Sequence, residues 1–359
     1  MDRRSSVTIA TKKLSKGSTA SFSGHGRVTV TSGRVEVFGA TLAVKSSFRV
    51  RLGRQMPAFA RDESASLEIA GRIKFFISHG DPLPSSWRKI PDLFLFRNMP
   101  TVMVLGPVDS GKSSFCTFLA NTALNVSNNV GLVDGDLGQA DMGPPGCISA
   151  GLATKQFTDL RQIRPVYTGF VGAISPSLDV NGCIEQLRRS VQVIRSFSPF
   201  YLLINTDGWV DSEGLKHKRS VVDEIMPDTL VYIDASQASN LNSLGREIVT
   251  VERPANVLRR GPEIRARARL ANLMRFFRGS QLKSIPREKI EGRDFCEPEE
   301  GALVGFYESG NFVGLGLCEG RSNKDSLAIH TNVEHYQIVR IGKSAIPELL
   351  DILKRTRGY

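Results

Sequence analysis

Residues 106–113 read Gly-Pro-Val-Asp-Ser-Gly-Lys-Ser, with two glycines, a lysine and a hydroxyl at the spacing that wraps a polyphosphate. The glycines let consecutive backbone N–H groups turn inward around phosphate oxygens. A helix opening at the end of the run adds its partial positive charge. Lys112 is expected to reach the β- and γ-phosphates, and Ser113 to coordinate Mg²⁺. Gly106, Asp109, Ser110, Gly111 and Ser114 complete the expected nucleotide site. A Gly/Ser turn before any helix shares part of this pattern. The flanks separate the two readings: Thr101–Leu105 has strand composition and 112–125 is helix-like.

A second acidic loop follows the apolar run 130–133, reading Asp134-Gly135-Asp136-Leu137-Gly138-Gln139. Acids at i and i+2 emerge on the same side of an extended chain, so one can serve a metal while its neighbour approaches a nucleophile. Asp136 is the stronger candidate, because Gly138 and Gln139 form a loop that can hold a substrate against the γ-phosphate. A third strand-like run ends Asn205-Thr206-Asp207-Gly208-Trp209. It lacks the lysine of the Asn-Lys-x-Asp pattern that selects guanine, which argues against a GTPase. Trp209 offers a flat face for a nucleobase, with core packing as the alternative.

The last candidate group is basic. From Arg253 to Arg278 arginines recur, and Gly261-Pro262 is expected to start a helix. In that helix Arg265 and Arg269 share a face, while Glu263 is spaced to pair with Arg267. Leu270, Leu273, Met274 and Phe277 form a separate apolar stripe. Two guanidiniums side by side can clamp phosphoryl oxygens, though a solvated basic face shares the pattern.

Composition divides the chain in three. Short β-like runs broken by glycine fill residues 11–78 and suggest a small antiparallel sandwich or barrel. The stretch 80–86, rich in proline and serine, reads as a linker without regular structure. From about 94 to 279, strand-like runs (101–105, 130–133, 201–204, 229–233) alternate with helix-like ones (112–125, 184–196, 214–225), the pattern of a mostly parallel sheet covered by helices. Beyond 279, strand-like runs at 302–307, 312–317, 326–331 and 337–341 precede a closing helix. The expected class is therefore α/β: a central P-loop NTPase domain (93–282) flanked by a β-rich N-terminal domain (1–92) and a small β-rich C-terminal domain (283–359).

The 359 residues carry 47 Lys plus Arg against 36 Asp plus Glu, a formal net charge of +11. That excess suits a polyanionic partner, or a generally basic proteome. No apolar stretch approaches bilayer length, and the first residues lack the apolar core of a secretory signal, so no membrane partner is expected. Five scattered cysteines without a C-x-x-C pair suggest neither disulfides nor zinc and point to a reduced, cytoplasmic setting.

Taken together, the phosphate loop, the D-G-D-L-G-Q segment, the T-D-G-W loop and the R-A-R-A-R run resemble the polynucleotide 5′-hydroxyl kinases related to the eukaryotic RNA kinase of pre-mRNA cleavage and tRNA splicing. The likeness is strongest from Thr101 to Gly279 and suits a compact archaeal-type member; residues 33–39 resemble the family's N-terminal signature. It implies ATP and Mg²⁺ as cofactors and the 5′-hydroxyl end of RNA, with DNA as a further candidate, as acceptor. It implies Lys112 and Ser113 on phosphate and metal, Asp136 serving Mg²⁺ and taking the hydroxyl proton, and Arg265 and Arg269 as a lid pair. Thr206, Gly208 and Trp209 match the clasp on the terminal nucleotide, and Gln139 stands beside it. Ser114 replaces the usual Thr, and Val210-Asp211-Ser212 replaces the clasp's Val-Lys-Gly, which weakens the inferred grip on the RNA backbone. The sequence does not identify protein partners. The alternatives are a nucleotide-binding scaffold in an RNA-processing assembly and an NTP-driven switch.

Overall fold

In the computed structural model, residues 9–94, 100–234, 244, 248–255, 257–291 and 298–356 are described, with backbone alone for 92–94. Cys296 lies outside them; Cys116, Cys147, Cys183 and Cys318 are buried free thiols.

The N-terminal strands are β1 (Ile9–Leu14), β2 (Ser18–Ser32), β3 (Val35–Val37), β4 (Ala40–Leu42), β5 (Ser47–Val50), β6 (Gln55–Ala60) and β7 (Ala65–His79). They form one antiparallel sheet in the order β1-β7-β2-β6-β3-β4, with β5 branching from β2. Alternation explains it: Ala65, Leu67 and Ile69 of β7 are buried while Ser66, Glu68 and Ala70 are not. The segment 80–86 is not wholly irregular, because α1 (Ser85–Phe94) starts within it. Trp87 anchors that helix. Its ring is fully buried, 4.8 Å from Phe115 and 6.1 Å from Phe118, and its Nε1 donates to the Glu252 carbonyl at 2.9 Å. A buried indole with its N–H satisfied holds a helix that proline and serine spacing alone would not signal.

The central sheet contains β8 (Thr101–Leu105), β9 (Val130–Gly135), β10 (Cys147–Ala153), β11 (Pro165–Phe170), β12 (Tyr201–Thr206), β13 (Thr229–Ile233) and β14 (Ile248–Val251). Its order is β11-β10-β9-β12-β8-β13-β14. From β9 to β14 the neighbours are parallel, and the strands are near-continuous apolar runs because helices cover both faces. At the other edge β10 runs antiparallel to β9 and β11, so the sheet is mixed. The helices are α2 (Lys112–Ala123), α3 (Val180–Arg195), α4 (Ser212–Ile225) and α5 (Pro262–Leu273).

The third sheet, β15 (Gln281–Pro286), β16 (Ala302–Glu308), β17 (Asn311–Asn323), β18 (Ser326–Thr331) and β19 (Ile338–Ala345), is antiparallel in the order β15-β18-β17-β16-β19. It is closed by α6 (Pro347–Thr356). Leu273 and Phe277, from the apolar stripe of α5 and its extension, share a core with Leu303, Leu317, Leu349 and Leu353. That packing fixes which way the arginines of α5 face. Among the described residues no helix is long and apolar enough to cross a membrane.

Candidate active site

The phosphate loop leaves β8 and enters α2, at the carboxyl end of the parallel strands. Gly106 (φ +148°) and Gly111 (φ +101°), the latter capping α2, adopt backbone conformations that side chains resist. A Cβ on Gly106 would stand 2.8 Å from both the Ile233 carbonyl and Ser110 Oγ. Ser110 itself is buried, its hydroxyl unpartnered among the described residues, so it shapes the loop from beneath.

Lys112 is buried, and its ammonium donates to the carbonyls of Gly106 (2.9 Å) and Pro107 (2.8 Å). Reaching a phosphate therefore requires its side-chain torsions to change. Burial lowers its pKa to about 8, against the opposing pull of Asp136 and Asp207.

Beside the loop, Asp134 at the end of β9 is buried and fully engaged. Its Oδ2 accepts the N–H groups of Asp141 (2.7 Å) and Met142 (3.0 Å), and its Oδ1 accepts Asn205 Nδ2 (3.0 Å). Asn205 also reaches Ser113 Oγ at 3.4 Å. Asp134 thus shapes the loop and, through Asn205, the Ser113 hydroxyl. Asp136 faces the cleft. Its Oδ1 accepts the N–H groups of Gly138 (3.2 Å) and Gln139 (2.9 Å). Burial raises its pKa; Lys112 opposes the rise, while Asp207 and Asp134 add to it.

One cleft of about 430 Å³ gathers Asp109, Gly111, Lys112, Ser113, Ser114, Asp136, Gln139, Gly208, Trp209, Arg265 and Arg269. Gly106, Ser110 and Thr206 do not line it. Thr206 is buried, with its hydroxyl donating to the Val104 carbonyl at 2.8 Å, so it ties the third loop to β8. The Trp209 ring stacks on His217 at 5.8 Å. Asp207 accepts the Trp209 N–H at 2.8 Å and forms a buried ion pair with Lys218. Burial would raise the Asp207 pKa, but Lys218 outweighs it and holds it below the usual range. Asp211, where the resembled family has lysine, caps α4 by accepting the Gly214 N–H at 2.9 Å.

The two lid arginines differ. Arg265 donates to the Arg260 carbonyl at 2.6 Å and lies 3.9 Å from Asp109, so its guanidinium is engaged. Arg269 has no hydrogen-bond or ion-pair partner among the described residues. Its Nη1 and Asp136 Oδ1 lie 4.0 and 3.8 Å from the point where a Cβ on Gly138 would sit. Burial lowers its pKa, with Glu348 and Asp136 acting the other way. The expected Glu263–Arg267 pair forms at 2.7 Å. Sequence reasoning did not single out Arg260, whose guanidinium holds Asp109 and Gln139. Asp109 therefore spends its carboxylate on the lid rather than on a nucleotide. It also missed Asn205, for which a polar residue at the end of an apolar strand was the available signal.

This loop between β8 and α2, on a sheet with parallel neighbours, defines a P-loop NTPase-like protein with β-rich flanks. Residues 106–279 match the family model described as the mRNA cleavage and polyadenylation factor CLP1 P-loop. A polyribonucleotide 5′-hydroxyl-kinase of Pyrococcus furiosus is 28% identical over 217 residues, 58% of this chain and 61% of that protein. One from Thermococcus kodakarensis is 31% identical over 212 residues, 58% of this chain and 60% of that protein. The chain thus matches about three fifths of the length of these relatives. The solved wild-type Clp1p–Pcf11p complex contains a chain with the same fold, at a TM-score of 0.74 and 15% identity, covering 94% of this chain and 98% of that one. The family resemblance carried by the motifs is borne out.

Proposed function

We propose that the chain is a polynucleotide 5′-hydroxyl kinase, moving the γ-phosphoryl group of ATP to the 5′-hydroxyl of RNA, with DNA as a further acceptor. The observation that carries this reading is the meeting, in one cleft, of the phosphate loop, an acid (Asp136) and a guanidinium without a partner among the described residues (Arg269). The names of the archaeal relatives support the same activity. ATP would lie with its phosphates along the loop N–H groups. Phe38, Leu83, Pro254 and Val257, which line the same cleft, offer adenine an apolar wall.

Ser113 and the Asp136 carboxylate fit Mg²⁺, which needs only one or two protein ligands beside nucleotide phosphates. When bound, the metal would offset charge on the β- and γ-phosphates. The rest falls to the chain. Asp136 orients the 5′-hydroxyl and accepts its proton as the O5′–Pγ bond forms. The bond from Pγ to the bridging oxygen breaks, and ADP leaves with that electron pair. Lys112 and Arg269 offset charge on the transferred group, and Trp209 supports the terminal base.

The test combines labelled ATP, Mg²⁺ and a 5′-hydroxyl oligoribonucleotide, beside a 5′-phosphorylated control and Lys112→Ala. The kinase reading expects label on the hydroxyl oligomer alone, lost in the variant. ATP hydrolysis indifferent to the oligomer would point to a switch, and neither activity to a scaffold.

A further inference from the structure

The same cleft continues past the catalytic groups to a set of arginines that no step above uses. Arg51 and Arg54 sit in the turn between β5 and β6. Arg161 lies in a 3₁₀ turn, Leu160–Gln162, of the central domain. All three line the cleft. Two acids lie among them: Arg51 pairs with Asp141 (3.2 Å) and Asp159, and Arg54 pairs with Asp141. Asp159 also caps the turn that carries Arg161, accepting its N–H at 3.0 Å.

The charges do not balance. Arg275 acts on the same group from beyond α5, and Asp134 acts on Arg54. Four guanidiniums therefore face three carboxylates, one of which (Asp134) is already held by backbone N–H groups and Asn205. Arg161 has no ion pair or side-chain hydrogen bond among the described residues, and the Nε donors of Arg51 and Arg161 are buried and unmet. Burial and the neighbouring charges of Arg51 and Arg275 lower the Arg161 pKa to about 9. A concave site with surplus guanidinium and open donors suits an oxyanion that can accept bidentately.

We infer that Arg51, Arg54 and Arg161 form a second anion subsite, which holds an internucleotide phosphate of the single-stranded acceptor a few nucleotides in from its 5′ end. This rests on the kinase reading for its direction. The triphosphate belongs to the loop before α2, whereas this set is joined to Asp136 by the chain from 136 to 141, at most about 18 Å when extended. Gln139 and Ala140 line the cleft between them. A strand whose end rests at Asp136 therefore passes the arginines as it leaves. Contacts to phosphate fix position without reading sequence, so the subsite favours length over base identity.

The test uses the full chain, a 3′-fluorescent 5′-hydroxyl oligoribonucleotide and a salt series, comparing wild type, Arg161→Gln and Arg161→Lys. The expected result is binding about tenfold weaker in Arg161→Gln. The slope of log affinity against log salt should fall by about 0.7, one phosphate contact on a single strand. Arg161→Lys should keep the slope and lose part of the affinity, and ATP binding should stay unchanged in both. In the kinase assay, the gain in kcat/KM from dinucleotide to longer acceptors should shrink in Arg161→Gln through KM. Unchanged affinity and slope in Arg161→Gln would overturn the subsite while leaving the kinase reading intact. Salt-sensitive binding that depends on Arg161, without phosphorylation by wild type, would do the reverse. Should Arg161→Gln not fold, Arg161→Lys decides: affinity equal to wild type overturns the subsite.

Discussion

Arg260, just ahead of the lid helix, grips Asp109 at the tip of the phosphate loop. Its Nε donates to one carboxylate oxygen at 2.7 Å and its backbone N–H to the other at 2.8 Å. The pair is mostly buried, with side-chain exposures of 17% and 8%. The guanidinium also donates to Gln139 at 3.2 Å, and Gln139 Nε2 donates to the Arg265 carbonyl at 3.2 Å. Loop, acidic segment and lid are thereby one hydrogen-bonded unit.

Breaking that unit should loosen the lid. Arg260→Met leaves the Asp109 carboxylate with only the Arg265 guanidinium at 3.9 Å, so the loss falls below the about 3–5 kcal/mol of a buried charge left wholly unpaired. Amide exchange across 262–273 should quicken in this variant, and kcat/KM for phosphoryl transfer should fall. Unaltered exchange would mean that the apolar packing of Leu273 and Phe277 holds the lid by itself.

Asp136→Asn should separate chemistry from binding. An amide oxygen can still accept the Gly138 and Gln139 N–H groups, so the loop keeps its shape. The proton acceptor is lost, and kcat should drop by about 10²–10⁴ while binding of ATP measured without Mg²⁺ is little changed. A drop of less than about tenfold would remove Asp136 from the role of base.

Gly208 lets the third loop lie against the phosphate loop. A Cβ there would stand 2.6 Å from both the backbone nitrogen and Cγ2 of Val108. Gly208→Ala should cost about 1–3 kcal/mol and weaken ATP binding, since the clash displaces the loop that holds phosphate. Gly261→Ala, where nothing lies within 4 Å, serves as the matched control, and equal thermal stability of the two variants would contradict the prediction.

His217 should make the fold acid-sensitive. Burial, helped by Lys218, lowers its pKa from 6.5 to about 4. Between those values the unfolded chain takes up a proton that the folded chain resists, so stability falls as pH falls. The loss across that window is about 3 kcal/mol. Urea unfolding from pH 7 to 4 should show this slope in wild type and a flatter one in His217→Gln. Equal slopes would place the sensitivity elsewhere.

Much of the nucleotide end of the site was legible. Lys112, Ser113 and Asp136 lie within short segments whose flanking strands announce themselves by apolar runs. The β10–β11 edge was not legible, since Cys147-Ile148-Ser149-Ala150-Gly151-Leu152-Ala153 is a short run of small residues without clear alternation. Nor was the state of Arg265: its i±4 neighbours leave it unpaired, yet the Arg260 carbonyl, at i−5, accepts its guanidinium.

From its own order of residues, the chain determined the local devices: a glycine turn opening a helix, acids at strand ends, an arginine pair opposite an apolar stripe. These depend on neighbours within a few positions and on backbone geometry common to all proteins. Only the tertiary structure decided which charges meet. Lys218 is committed to Asp207, Arg260 to Asp109 across 151 positions, and Arg51 to Asp141 across 90. Such choices belong to packing, because a charge removed from water takes whatever partner the fold brings within reach, and sequence spacing does not encode that distance.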